Sequence, residues 1–553
     1  MILQTGSQED FPEPKLALQM MTQSVAGLAA QAVNERRGTN MVWVNNGNAD
    51  MDDWLARWRA AHPAVKKLDG WTPWQLVDRF ARDGVIQGYI LYRLDNDSVN
   101  VATSLAGLLG GVMVDESLKP EAERHGLKML MDVRDKTSWW CFQTYKDRFN
   151  RRILCTQDPR KPHVRDLAIA QKAFTFFDTN ELLGAAMAWV EPLSPVIGWN
   201  TGDEMSNTDL SSGNGEIQTA TDWCMNLPVL MAGTESYRSG KLPLPDPAAI
   251  NWKDRRSAVS FIDTDGDNVQ WFEGNFFRES TNYWGNPARG KIPFGWSCCF
   301  AHLTQLCPGA IDYALSTKTT NDSFIEWGGG YYYPDDFGKN RANRWKLLAE
   351  QARRTWKLMR RTDTRIIGFN FVKWDSDDAR KACEVFAAQT DGLLGILAFQ
   401  YSQYEAGAGE RFWVKDRNGI ELPVVTARYS IWNHENEREH SGTPAKVARE
   451  IRETVEKTPR QDAPRYDWVI AHAWSYFKKA PGTDESAEDM TQEDAGNHEG
   501  ECGYSPARWC GERLPSNIRM VSPEELLWRI RMNHDASQTM RFIRHYSDPS
   551  SGR

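Results

Sequence analysis

Hydrophobic side chains three and four residues apart over 16–32 predict a helix, and the apolar run 40–44 after it predicts a strand. Further apolar runs at 84–92, 99–105, 127–133 and 173–177 read as buried strands or their edges. Strands alternating with helical stretches predict parallel α/β layers. Residues 239–253 then carry Leu-Pro-Leu-Pro-Asp-Pro. Proline at that density excludes a helix and suits an extended connector, which predicts a boundary near residue 250.

Beyond it the alternation is more regular. Strands are expected at 258–262, 291–297, 324–327, 366–371, 392–399, 424–429, 468–473 and 518–521. Helices are expected between them, notably 341–361, with Leu347, Leu348, Trp356 and Met359 on one face, and 523–532 at the end. Seven or eight strand–helix units in about 280 residues fit a β/α barrel better than an open sheet, though the pattern alone leaves the open sheet standing. The expected organisation is an N-terminal α/β region over 1–250, with a split into subdomains near 75–80, followed by a barrel domain over 251–535. Residues 482–500 are acidic and nearly free of apolar side chains, which predicts a mobile insertion.

Composition narrows the function. The chain has 553 residues, 41% hydrophobic and 25% charged, with 66 basic against 74 acidic side chains. That balance excludes a disordered chain, and it lacks the basic excess expected of a nucleic-acid binder. The longest apolar stretch, 99–114, is interrupted by Asn100, Thr103 and Ser104, so no membrane span is expected. Residues 1–12 show no basic segment followed by an apolar one, so an export signal is expected to be absent or already removed. Nine cysteines show no zinc-type CxxC pair; Cys502 and Cys510 flank a loop and would pair only in an oxidising compartment. The 24 tryptophans suit either a large core or a groove that stacks on the apolar faces of sugars.

In parallel β/α folds, function gathers where strands end. After 258–262 come Asp263, Asp265 and Asp267, then Asn268. Three carboxylates so close repel one another unless one keeps its proton or a cation, donor or substrate hydroxyl compensates. A general acid and its carboxylate partner need such a separation of pKa values. An EF-hand loop fails here, because its sixth and twelfth positions would be Asn268 and Gly274 instead of Gly and Glu. A plain Asp/Gly/Asn turn with capping carboxylates is the competing reading. Trp296 and Glu326 stand at further strand ends, as do Arg428 and Trp432, then His472 and Trp474. A histidine in the same ring as three aspartates is a candidate ligand, donor or base. Asp203 and Glu204 follow the apolar segment 195–198 and are either carboxylates reaching across a domain interface or a helix cap. Between Gly328 and Pro334, three glycines permit close backbone approach, and three tyrosines either line a groove or pack a tight turn.

That last segment contains the GxGYxYP pattern in full, as Gly328, Gly330, Tyr331, Tyr333 and Pro334. Supporting segments are 84–92, 98–118, Asp265-Gly-Asp-Asn with Gln270 and Trp271, 283–287 leading into 292–297, and 321–324. From about residue 15 to about residue 530 the chain resembles the GxGYxYP putative glycoside hydrolase family. The resemblance implies an N-terminal α/β, flavodoxin-like region and a barrel related to glycoside hydrolase and carbohydrate-deacetylase barrels. It also implies an extracellular or secreted protein, and makes Asp265, Asp267, Asn268 and the signature tyrosines the leading site candidates. Glu326-Trp327, where small residues are expected, and the acidic 482–500 segment depart from it.

The main expectation is hydrolysis of glycosidic bonds without a cofactor. Asp265 or Asp267 protonates the leaving oxygen, and the other of the pair, Glu326 or Glu204 serves as nucleophile or base. Asn268, Trp296, Tyr331, Tyr333, Arg428, Trp432, His472, Trp474 and Asp203 are expected to contact the carbohydrate. An alternative is a deacetylase whose divalent metal is held by Asp265, Asp267 and His472, although the two-His spacing usual for zinc is missing. A third is a carbohydrate-binding protein without catalysis, whose mark would be strand ends lacking carboxylates.

Overall fold

A computed structural model describes residues 1–235, 237–243, 245–278, 280–400, 408–432, 439–458, 464–479, 490–491 and 500–546. The segment expected to be a mobile insertion, 482–500, lies outside the described residues apart from 490, 491 and 500.

The first half is built from three parallel sheets. β1 (Ile2–Ser7) lies between β2 (Met41–Asn45) and β3 (Lys67–Trp71). β4 (Gly88–Tyr92) lies between β5 (Gly111–Asp115) and β6 (Met129–Asp132). β7 (Leu154–Thr156), β8 (Phe174–Phe176), β9 (Pro195–Gly198) and β10 (Ile217–Thr219) form the third, in the order β10-β9-β7-β8. The expected first helix is present as Lys15–Asn34, and its apolar face joins the core that these sheets share. Gly27 lets it press on a neighbouring helix, since a Cβ there would lie 2.7 Å from that of Ile169. One expectation is overturned: 99–105 is not a strand but the middle of the helix Ser98–Leu109. That helix is buried on nearly all sides, so it lacks the polar stripe that marks an amphipathic helix. Its stop signal, left-handed Gly110 at φ 66°, was the available clue.

Among its described residues, the connector after residue 235 has no regular element except the short 3-10 turn Pro247–Ala249. The second half carries one large sheet. Its strands are β11 (Ser257–Asp263), β12 (Phe294–Cys298), β13 (Asp322–Trp327), β14 (Ile366–Phe371), β15 (Gly395–Gln400), β16 (Arg411–Lys415), β17 (Glu421–Thr426), β18 (Tyr429–Ile431), β19 (Ser441–Gly442) and β20 (Tyr466–Ala471). A small antiparallel pair, β21 (Phe477–Lys478) and β22 (Met490–Thr491), precedes β23 (Ile518–Met520), which pairs with β11. The order is β16-β17-β15-β14-β13-β12-β11-β20-β18-β19, parallel throughout except between β16 and β17.

The sheet curls on itself. The expected strand 424–429 breaks at Ala427 and Arg428. β17 pairs with β15 and β18 pairs with β20, on the far side of the sheet. Ala427 N–H donates to the Ala398 carbonyl at 3.3 Å and Arg428 N–H to the Trp468 carbonyl at 3.1 Å, so the break spans the two flanks. Ile262, Ile325, Trp327, Leu397, Val425, Trp468 and Ile470 fill the concave side, and the helix Pro523–His534 adds Leu526 and Leu527 to that core. A mixed α/β chain with parallel sheets and a curled second half therefore matches the class read from the sequence. Cys502 and Cys510 are both buried and form no disulfide among the described residues; Cys502 Sγ lies 3.3 Å from the Tyr283 hydroxyl.

Candidate active site

The strand ends of the curled sheet bring Asp265, Asp267, Asn268 and His472 to one edge. β11 pairs with β20 so that Asp263 stands opposite Ala471, and with β12 at Ile262 and Gly295. Asp263 is fully buried and its Oδ1 accepts from Ser297 N–H at 2.6 Å. Burial, reinforced by the Asp265 charge, pushes its carboxyl well above the usual carboxylate range. Asp263 therefore ties β11 to β12 and does not face the edge.

The chain then turns sharply. Thr264 donates its hydroxyl to Asp265 and accepts the Ala473 N–H at 3.3 Å. Asp265 adopts a left-handed φ of 66°, a strained position for a residue with a Cβ. Gly266 is required, because a Cβ there would sit 2.4 Å from the Cys298 nitrogen. The turn thus lies directly on the end of β12 and fixes Asp265, half-buried, beside Asp267.

Asp267 is 7% exposed. Burial, then the negative charges of Asp265 and Glu204, hold its carboxyl well above the usual range, which favours its protonated form. Asn268 precedes the helix Val269–Gly274 without capping it, and its Oδ1 is buried with no hydrogen-bond partner among the described residues. Glu204 comes from a different layer. It opens the helix Glu204–Asn214 between β9 and β10, is exposed, and its charge acts on both Asp267 and Tyr333. Asp203, beside it, is the N-cap of that helix: it accepts from Ser206 N–H at 2.8 Å and from the Ser206 hydroxyl at 2.7 Å. Its carboxyl is held below its usual range by those two donors, which assigns it to capping.

An aromatic rim flanks the aspartate turn. Trp432 and His472 follow β18 and β20 and stack with ring centroids 4.3 Å apart. His472 Nδ1 lies 2.7 Å from the Ser475 hydroxyl. Trp474, 39% exposed, rests on Trp271 at 4.9 Å and on Tyr283 at 5.9 Å. Ala473, bonded to Thr264, brings this group next to Asp265. Trp223 is 57% exposed, and its backbone N–H donates to Oε1 of Gln270, two residues beyond Asn268, at 2.8 Å.

Several expected site residues lie elsewhere. Trp296 is fully buried among Phe276, Trp284 and Phe294, with its Nε1–H donated to Asp322 at 2.9 Å. It is core, because alternation along β12 turns it away from the concave side. Glu326 is fully buried on β13; its Oε2 accepts from Ala301 N–H at 2.9 Å, and burial pushes its carboxyl up to about 8. It anchors the turn behind it and is closed off from solvent. Tyr331 and Tyr333 are also buried. Tyr331 makes a two-way backbone bridge to Gln218 at 3.0 and 3.1 Å, and Tyr333 N–H donates to Ser212 at 3.0 Å. The signature therefore fastens β13 to the β10 layer that carries Glu204. Arg428 is level with Trp468, three residues short of Ala471, and pairs with Asp467. It lies away from the edge. Asp265, Asp267 and His472, the ligands of the alternative reading, are not gathered as a set: no three His, Cys, Asp or Glu side chains among the described residues are placed to hold an ion.

Thr264, Ser475, Tyr283 and Trp223 went unrecognised in the sequence. The first two are hydroxyls one and three positions from a candidate acid or imidazole, which is a weak signal. Trp223 follows a β10 strand too short to read from periodicity.

The family model named GxGYxYP putative glycoside hydrolase C-terminal domain matches residues 256–480. The models for the GxGYxYP_N second domain and the GxGYxYP third domain match 86–149 and 150–232. The crystal structure described as a putative hydrolase from Bacteroides thetaiotaomicron has the same fold, with a TM-score of 0.76 over 96% of this chain and 94% of that one, at 21% identity. No curated protein matches. The chain belongs to the GxGYxYP putative glycoside hydrolase family.

Proposed function

We propose that this protein hydrolyses glycosidic bonds in a poly- or oligosaccharide at the edge formed by Asp265, Asp267 and Glu204. One observation carries the reading: Asp267 is a buried carboxyl whose protonated form is favoured by burial and by the charges of Asp265 and Glu204, on a turn bonded to the segment that carries the exposed Trp474 ring. A protonated carboxyl in that setting donates to the leaving glycosidic oxygen. Glu204, arriving from another layer and close enough for its charge to act on Asp267, serves as nucleophile or base. Asp265, hydrogen-bonded by Thr264, keeps the proton on Asp267. Trp474 and Trp432 supply ring faces for the apolar sides of sugars. The reading takes the curled sheet as a barrel of seven or eight strands, supported by β17 pairing with one flank and β18 with the other. It takes the parallel layers of the first half as flavodoxin-like.

The test is a panel of plant, algal and microbial polysaccharides assayed for released reducing ends. Turnover of at least one by the wild type, and its loss in Asp267→Asn with an unchanged melting temperature, is expected. Full activity in Asp267→Asn overturns the proposal.

A further inference from the structure

Arg428 lies on the outer side of the curled sheet together with two other guanidiniums. Arg411 opens β16, Arg428 occupies the break between β17 and β18, and Arg465 immediately precedes β20. They converge on Asp467. Arg428 Nε is 3.3 Å from its Oδ1 and Arg465 Nε is 3.2 Å from its Oδ2. Arg411 makes no ion pair among the described residues and donates to the Tyr466 carbonyl. Its guanidinium is held below the usual arginine range by burial and by the charges of Arg465 and Arg428, against the pull of Asp467. Three cations thus share the field of one carboxylate, and Arg411 alone of the three makes no ion pair with it.

The three line a cavity of about 320 Å³ with Gly409 and Glu410. Glu410 is exposed and pairs with none of them. The acids across Arg428, Glu450 and Glu453, have cations of their own in His440, Lys446 and Lys457. The backbone is laid tightly over the arginines. Ala408 and Gly409 are both left-handed, at φ 53° and 71°, and a Cβ on Gly409 would lie 2.7 Å from Asp467 Oδ1 and 3.1 Å from Arg428 Nε. Ala408 bears the strain that this approach requires. Planar guanidinium forks converging from three separate segments suit an oxygen-rich anion, which each binds through paired N–H groups.

We infer that Arg411, Arg428 and Arg465 form a second binding site, separate from the aspartate edge, for one oxyanion group of the sulfate, phosphate or carboxylate type. This inference does not depend on the catalytic reading. The shared chemistry has two sources, a free inorganic anion or a charged substituent on a sugar chain.

Calorimetric titration of the full chain with sodium sulfate, phosphate and acetate at low ionic strength tests it. A sulfated oligosaccharide and its desulfated form are titrated alongside. Sulfate or phosphate is expected to bind, and Arg411→Gln, whose arginine has no ion pair to lose, is expected to weaken binding by about tenfold. Asp467→Asn is expected to tighten it, because the competing carboxylate is gone. A sulfated sugar that binds better than inorganic sulfate assigns the sugar substituent, and equal affinities assign the free anion. No binding by the wild type to any of these, unchanged affinity in Arg411→Gln, or weaker binding in Asp467→Asn overturns the inference.

Discussion

Asp267 differs from the chain's exposed aspartates through its surroundings alone. Burial removes the water that would stabilise its charge, and Asp265 and Glu204 add repulsion to any ionised form. Replacing it by Asn removes the proton while keeping shape, so kcat is expected to fall by about 10²–10⁴-fold with the melting temperature unchanged. Glu326, fully buried, illustrates the same physics. Its carboxyl titrates at about 8 in the fold against an ordinary 4.5, so between those values the folded state holds a proton that the unfolded chain releases. Stability therefore falls as pH rises through that window. Glu326→Gln, which resembles the protonated acid, is expected to flatten this fall; melting curves from about pH 5 to about pH 9 read it out. An equally steep fall in the variant would contradict the assignment. The aspartate turn was legible because three acids and a glycine after an apolar run have few structural explanations. Trp296 and Arg428 were misplaced because sequence locates a strand end only to within a few residues, and a shift of one position turns a side chain to the other face.

Among elements, the signature turn matters most. Its glycines at φ 72°, 71° and 121° were legible as a backbone needing close approach. What they approach was not legible, because the partners Ile217 and Thr355 lie on a different layer and a distant helix. A Cβ at Gly330 would sit 2.2 Å from Ile217 Cγ2 and 3.0 Å from the His302 ring. Gly419, at φ 77°, has open space instead. Gly419→Ala is thus expected to cost only backbone strain, about 1 kcal/mol. Gly330→Ala adds overpacking and is expected to cost about 2–4 kcal/mol more in denaturant unfolding, with activity reduced. Equal costs for the two would show that the turn does not clamp the layers. Tyrosines read as groove lining proved to be fasteners for the same reason: ring burial depends on which layer docks over them. The helix at 98–109 was mistaken for a strand because uniform burial erases periodicity.

At the scale of the molecule, the parallel α/β class was legible from alternating elements, but the curl was not, since Ala427 and Arg428 interrupt the strand without any turn residue. The curl creates an edge, and the signature straps the β10 layer across it, so Glu204 reaches a turn more than 60 positions away in sequence. Catalysis on this account is a property of the assembled layers. The most direct test is the pH dependence of kcat/KM, for wild type and Glu204→Gln, on whichever polysaccharide is cleaved. The wild-type profile is expected to keep its alkaline limb above the ordinary carboxylate range, reporting protonated Asp267. Removing the Glu204 charge should move that limb to lower pH and reduce the rate. A limb that stays in place with the rate intact would contradict the claim that a carboxylate from the first half of the chain sets the acid in the second.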